Sequence, residues 1–401
     1  MRWVAAFGAW LTVVPAQGDV LPAAGELQVA LRDGTVLTAH ELTGDAEAGF
    51  AAVSSAGVRR VAAGELLAVY GVAARVPELT SARLAGGDVV YGALVGGDDG
   101  GHQIELFAPV FGRLSLPIDR VAALLQPDVL AAELSLPAGI EEALFTPTKS
   151  GYDIVAGTLH RFGAQGVSFQ AAAADAPAWY GPRAFAGLLL GGAVARATPA
   201  PCTLLTRTAD RLGIALRKVD AQAFTVELED GSQRTLQRGD FACLTFGAGC
   251  VHLSDLEPKE VAEHGYDGDP VLPWRRDHCA AGGLLTAGGR THAKGLGVHS
   301  RCRLSFEVPA GATHFWTRVA IDDSAIELPL RAHAVARVLV GDKQVFEAAN
   351  LRPGDEPRDS GRIPVATGST VTLEVDFGRG RDLGDRIDWL TPVFVVEPRR
   401  S

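Results

Sequence analysis

Apolar and polar positions alternate along much of the chain, most clearly towards its C-terminal end. In residues 301–308, Cys302, Leu304, Phe306 and Val308 alternate with Arg303, Ser305 and Glu307, the period of a strand with one buried face. After a turn signal at Pro309 and Gly311, the residues Phe315, Thr317, Val319 and Ile321 repeat the pattern, which stops at Asp322 and Asp323. Residues 335–346, with Gly341 and Asp342 in the bend, and residues 371–377 continue it. These runs predict an antiparallel β-sandwich (jelly-roll) over 250–398. On the same alternation Trp316, Arg318 and Ala320 face away from the sandwich interior. An outward indole has two uses, stacking on a sugar ring or sealing the joint to the preceding domain.

Upstream, from 26 to 249, one pattern occurs four times: a polar turn, then a first strand ending near a small residue (Thr38, Gly92, Gly157, Gly213). A central strand, a short strand and a final apolar strand follow. Each repeat predicts a small β-barrel-like unit, bent where the small residue permits it. Two units fall in 19–127 and two in 151–249. The intervening 128–150 differs in texture and reads as a linker between two repeat pairs, with AGIEEALF, between Pro137 and Pro147, as a helical turn or two. Units this small bury little surface alone, so packing in pairs or in a row is expected. The fold class is therefore all-β.

The first 18 residues break the alternation. Arg2, the apolar run 3–14 and the small residues of Ala16-Gln17-Gly18 form a signal peptide pattern. A mature chain starting near Asp19 and located in the periplasm or outside the cell is expected. No later run is long enough for an integral membrane helix. The 47 glycines and 22 prolines suit many short strands joined by tight turns, and a net charge of −10 disfavours nucleic acid as a partner. Basic residues cluster no further than short pairs, such as Arg59–Arg60 and Arg275–Arg276. Five cysteines lie in the second half without metal-binding spacing. An exported chain permits disulfides, and Cys202 with Cys243, then Cys279 with Cys302, are the candidate pairs, with Cys250 left over. No nucleophile elbow, zinc-helix motif or phosphate loop is present, so no catalytic residue is named.

Four ordered motifs in the last third carry a resemblance. Residues 294–300 read KGLGVHS, 319–323 read VAIDD, 340–343 read VGDK and 385–389 read DRIDW. Together they resemble the NPCBM family of carbohydrate-binding modules, which have a galactose-binding-like sandwich. Ala320 replaces the usual glycine, the 340–343 turn has an altered order, and the last motif is compressed. The resemblance implies carbohydrate or another surface polymer as partner. Within it, Trp316, Arg318, His299 and Trp389 are candidate ligand-binding residues, although Trp389 also suits a core and His299 a buried hydrogen bond. Asp322, Asp323, Asp385 and Asp388 are candidate ligands for a structural calcium, or they hold turns by accepting backbone N–H bonds. Three functions follow: a non-catalytic exported binding protein, a structural scaffold whose protein partners the sequence does not name, or a glycosidase component. The last requires two carboxylates about 5 to 9 Å apart across a cleft.

Overall fold

The computed structural model describes residues 26–396 apart from 99, 100, 128, 130, 269, 271, 330, 331 and 380. The expected signal peptide 1–18 and the mature start at Asp19 lie outside the described residues. Among those described, strands are joined by turns and 3-10 segments with no α-helix.

The N-terminal half uses one strand-pairing scheme four times. The first strands are Leu27–Leu31, Thr80–Leu84, Glu142–Thr148 and Cys202–Thr206. Each pairs on one side with the second strand of its unit and on the other with the last. The second strand changes partner halfway. In Gly151–Gly163, residues 151–156 pair with the first strand and 157–163 with the third. Gly157 sits at the changeover, where a Cβ would lie 2.0 Å from the Gln170 carbonyl oxygen. No side chain fits that approach, so glycine is what lets the strand cross between the two sides of the barrel.

Two expectations about this half need correction. Last strands pair edge to edge between units, but Leu66–Tyr70 meets Phe241–Phe246 and Val121–Leu125 meets Gly187–Leu190. The pairs are thus first with fourth and second with third. An apolar last strand must cover its open edge, and sequence order does not decide which edge it finds. The linker expectation for 128–150 fails because Glu142–Thr148 is the first strand of the third unit, paired on both sides. Ala143, Leu144 and Phe145 are all buried there, as in a strand covered on two faces, while Pro147 lies at its exposed end.

The C-terminal half is a sandwich of two antiparallel sheets. One is built on Gly295–His299, Arg386–Val396 and Ala312–Ile321, the other on Cys302–Glu307, Thr370–Phe377, Ala334–Val340 and Lys343–Leu351. Leu304, Phe306, Phe315, Val319, Ile321, Leu373 and Trp389 fill the space between them. Opposite Ala312–Ile321 the partner strand carries an irregularity, so that Trp316 pairs with Val393 but Arg318 with Leu390. This bulge re-aims Thr391, whose Oγ1 lies 3.0 Å from the Tyr70 hydroxyl of the N-terminal half.

That contact belongs to an extensive joint. Trp316 packs with Ala30, Leu67, Tyr70, Leu205 and Val393 in one buried cluster. Around it, Ala74 N–H donates to Thr291 Oγ1 (2.8 Å), Arg290 Nη1 to the Gly71 carbonyl (3.1 Å) and Arg211 Nη2 to the Asp277 carbonyl (2.7 Å).

The disulfide expectations are also corrected, since all five cysteines are free thiols. Cys202 pairs with Phe246 while Cys243 pairs with Leu205. The strands are neighbours as expected, but an offset of three residues turns the two thiols to opposite faces. Cys279 lies in a small cluster with Leu285 and Leu390, whereas Cys302 lies in the main sandwich core.

Candidate functional site

Most candidate residues are inside the protein. Trp389 is 1% exposed in the sandwich core. Trp316, also 1% exposed, has its Nε1 donating to Asp359 Oδ1 at 3.0 Å. A stacking platform needs an open indole face, so both ligand-binding expectations are corrected: Trp389 is a core aromatic, and Trp316 seals the joint. Arg318 lies beside it, with Nη1 3.4 Å from Gln28 Oε1. His299 is buried, with Nδ1 hydrogen-bonded to the Ser300 carbonyl at 2.9 Å.

The four aspartates do not form one site. Asp322 Oδ2 accepts from the Thr286 N–H and hydroxyl, and its Oδ1 accepts from Ser324 N–H. Asp323 accepts from Gly288 and Gly289 N–H groups. Asp385 accepts from the Ser300 hydroxyl and His333 N–H. Only the fully buried Asp388 has both oxygens without a donor. Burial, and then the adjacent Asp322, push its carboxyl well above the usual range, which favours the protonated form. Calcium takes six to eight oxygens, and no grouping of three or more His, Cys, Asp or Glu positioned for a metal occurs among the described residues. The calcium expectation is corrected accordingly: the observed donors give three of the carboxylates a turn-holding role.

An open concavity of the sandwich lies elsewhere, and the KGLG motif explains how it is made. Arg275–Arg276 pairs with Gly295–His299, placing Arg275 opposite Gly297. A Cβ at Gly297 would lie 2.3 Å from the His278 carbonyl oxygen and 2.5 Å from Cys279 Cα. Glycine therefore lets residues 278–280 cross directly over the strand. Trp274, Arg275, Arg276 and His278 line a cleft of about 360 Å³ together with Arg83 of the second unit. The Arg276 guanidinium lies 5.2 Å from the Trp274 ring centroid and pairs with exposed Glu257 at 2.8 Å. His278 Nδ1 is 3.0 Å from the Arg276 carbonyl. Burial and then Arg211 lower its pKa to about 4, so it is neutral at physiological pH. Asp277, in the same run, turns away into the joint. Sequence reasoning noted the Arg275–Arg276 pair but not the cleft, because Arg83 is brought there only by the packing of the two halves.

Residues 249–395 match the family model of the NPCBM/NEW2 domain. The match covers the whole sandwich and its four motifs, and no curated protein matches the chain. Two solved structures are similar to the matched part. One is CBM51 from Clostridium perfringens GH95 in complex with methyl-galactose, at 20% identity over 36% of this chain and 99% of that one, with a TM-score of 0.32. The other is CBM51-2 in complex with GlcNAc and INT domains from Clostridium perfringens ZmpB, at 21% identity over 43% of this chain and 36% of that one, TM-score 0.33. No helix of the described residues is long and apolar enough to cross a membrane.

The joint beside the C-terminal sandwich carries a titration prediction. His292 is buried, with its ring 4.6 Å from that of Tyr70. Burial first, then Arg318 and Arg290, lower its pKa to about 3. The unfolded chain therefore binds a proton near pH 6.5 that the folded one refuses. The stability this gives is fully present above pH 6.5 and is lost as pH falls towards 3, at about 1.4 kcal/mol per pH unit. Asp210, Asp385 and Asp388, raised by burial, act in the opposite sense. Comparing wild type with His292→Phe isolates the histidine. Denaturant unfolding at pH 7 and pH 5 is expected to show a shallower acid loss in the variant, and equal slopes would contradict the assignment.

Proposed function

We propose that the protein is an exported, non-catalytic binding protein that holds carbohydrate through its C-terminal sandwich, at the Trp274 cleft. The observation that carries this reading is the match of residues 249–395 to the NPCBM/NEW2 domain. The cleft supports it, offering an aromatic ring beside guanidinium and imidazole donors, the mix of flat apolar surface and oriented polar groups that sugars require. Export rests on Arg2, the apolar run 3–14 and the Ala16-Gln17-Gly18 site. Calorimetric titration of the purified chain against a panel of oligosaccharides tests the function. Binding by at least one member is expected, together with a loss of roughly tenfold or more in Trp274→Ala, as for a central aromatic anchor. A panel with no binder would favour the scaffold reading, and released sugar from a pure preparation would favour the glycosidase one.

A further inference from the structure

Building on the carbohydrate reading above, we propose that the Trp274 cleft selects an acidic sugar, one carrying a carboxylate or sulfate, and that Arg83 of the N-terminal half completes the site. The cleft is lined by Arg83, Arg275, Arg276, His278 and Trp274, with no carboxylate in its wall. Such a surface runs against the background of a chain with net charge −10.

Arg83 is the informative member. Its Nε is buried without an acceptor, and its guanidinium makes no hydrogen bond or ion pair among the described residues. Arg83 is half-buried, with its Nε the buried donor that lacks an acceptor; leaving such a donor unsatisfied is costly, and an anion entering the cleft would supply the missing partner. The neighbouring cations are differently committed. Arg276 is held by Trp274 and Glu257, so it orients the indole. Arg275 gives Nε to the Ala280 carbonyl at 3.1 Å, which anchors the side chain in the cleft wall. Asp277, the nearest acid in sequence, is consumed by Arg211, Lys294 and Gly295 N–H. A guanidinium fork accepts a carboxylate or a sulfate equally in geometry, whereas a neutral sugar leaves Arg83 unpaired. The discrimination comes from that difference. The site exists only where the two halves meet, since the Thr80–Leu84 strand that carries Arg83 belongs to the second barrel unit.

The test is calorimetric titration of the full chain with a galacturonate oligosaccharide, its neutral galactose counterpart, and inorganic sulfate, at low and high salt. The acidic ligand is expected to bind roughly tenfold or more tightly than the neutral one, with the gap shrinking as salt rises. Arg83→Gln and, independently, Arg275→Gln should close the gap by lowering the acidic sugar's affinity more than the neutral sugar's, and Arg83→Lys should restore part of it. Thermal melting confirms that each variant is folded. Equal affinity for acidic and neutral sugars overturns the acidic selection and leaves the carbohydrate reading standing. Sulfate competing as strongly as the oligosaccharide overturns the sugar assignment in favour of a simple anion site. Binding of neither sugar sinks this proposal and leaves the carbohydrate reading to the outcome of the oligosaccharide panel.

Discussion

Replacing Trp316 with alanine is expected to destabilise the protein by about 3–5 kcal/mol, the usual cost of emptying the space of a buried tryptophan. The indole lies in a cluster drawn from both halves of the chain, so the cavity would open between them. Its Nε1–H bond to Asp359 would be lost as well, leaving that carboxylate without the indole donor. Denaturant unfolding of wild type and variant measures the effect. A change within about 0.5 kcal/mol, typical of exposed positions, would contradict the burial. Because both halves contribute to the cluster, the variant should also unfold in two separable steps if the halves have independent stability.

Asp277→Ala is expected to cost a comparable 3–5 kcal/mol, by a different route. Asp277 Oδ2 lies 3.4 Å from Arg211 Nη1 and 3.3 Å from Lys294 Nζ, and Oδ1 accepts Gly295 N–H at 3.0 Å. Burial alone would raise its pKa, but Arg211 and then Lys294 hold the carboxyl below the usual range. Removing it leaves two cations, each largely buried, facing one another without the anion between them. Lys294 retains Asp255, while Arg211 retains the carbonyl of residue 277. Arg211→Met in the same background should recover part of the loss, because it removes a largely buried cation that has lost its anion. A double-mutant cycle by denaturant unfolding reads the coupling, and additive losses would contradict it.

The sandwich was legible because period-two alternation reports directly which residues share a buried face. It placed Phe315, Val319 and Ile321 inside and Trp316 and Arg318 on the other side. Alternation cannot say what covers that other side, and here the N-terminal half does, turning a candidate platform into a packing surface. The KGLG glycines were legible as a motif, but their use, letting residues 278–280 cross a strand, depends on backbone brought from outside the motif. The barrel repeats were legible from the small residue that recurs at the strand changeover. Their pairing was not, because adjacency in sequence suggested first with second, while edge strands join by geometry. Arg83 carried no signal at all: an isolated arginine in a strand gains meaning only from neighbours some 190 residues away.

Pairing of the first unit with the fourth also sets a timetable for synthesis. The strand Leu66–Tyr70, all five of whose residues are buried, finds its partner only when Phe241–Phe246 has been made. At the usual rates of elongation that interval is on the order of 10–30 s. For that time the nascent first unit presents a bare apolar edge, the surface most prone to pairing with a wrong chain, while the second and third units can close on each other in the meantime. A chaperone that covers this edge until Phe241–Phe246 is made would therefore protect the first unit from mispairing.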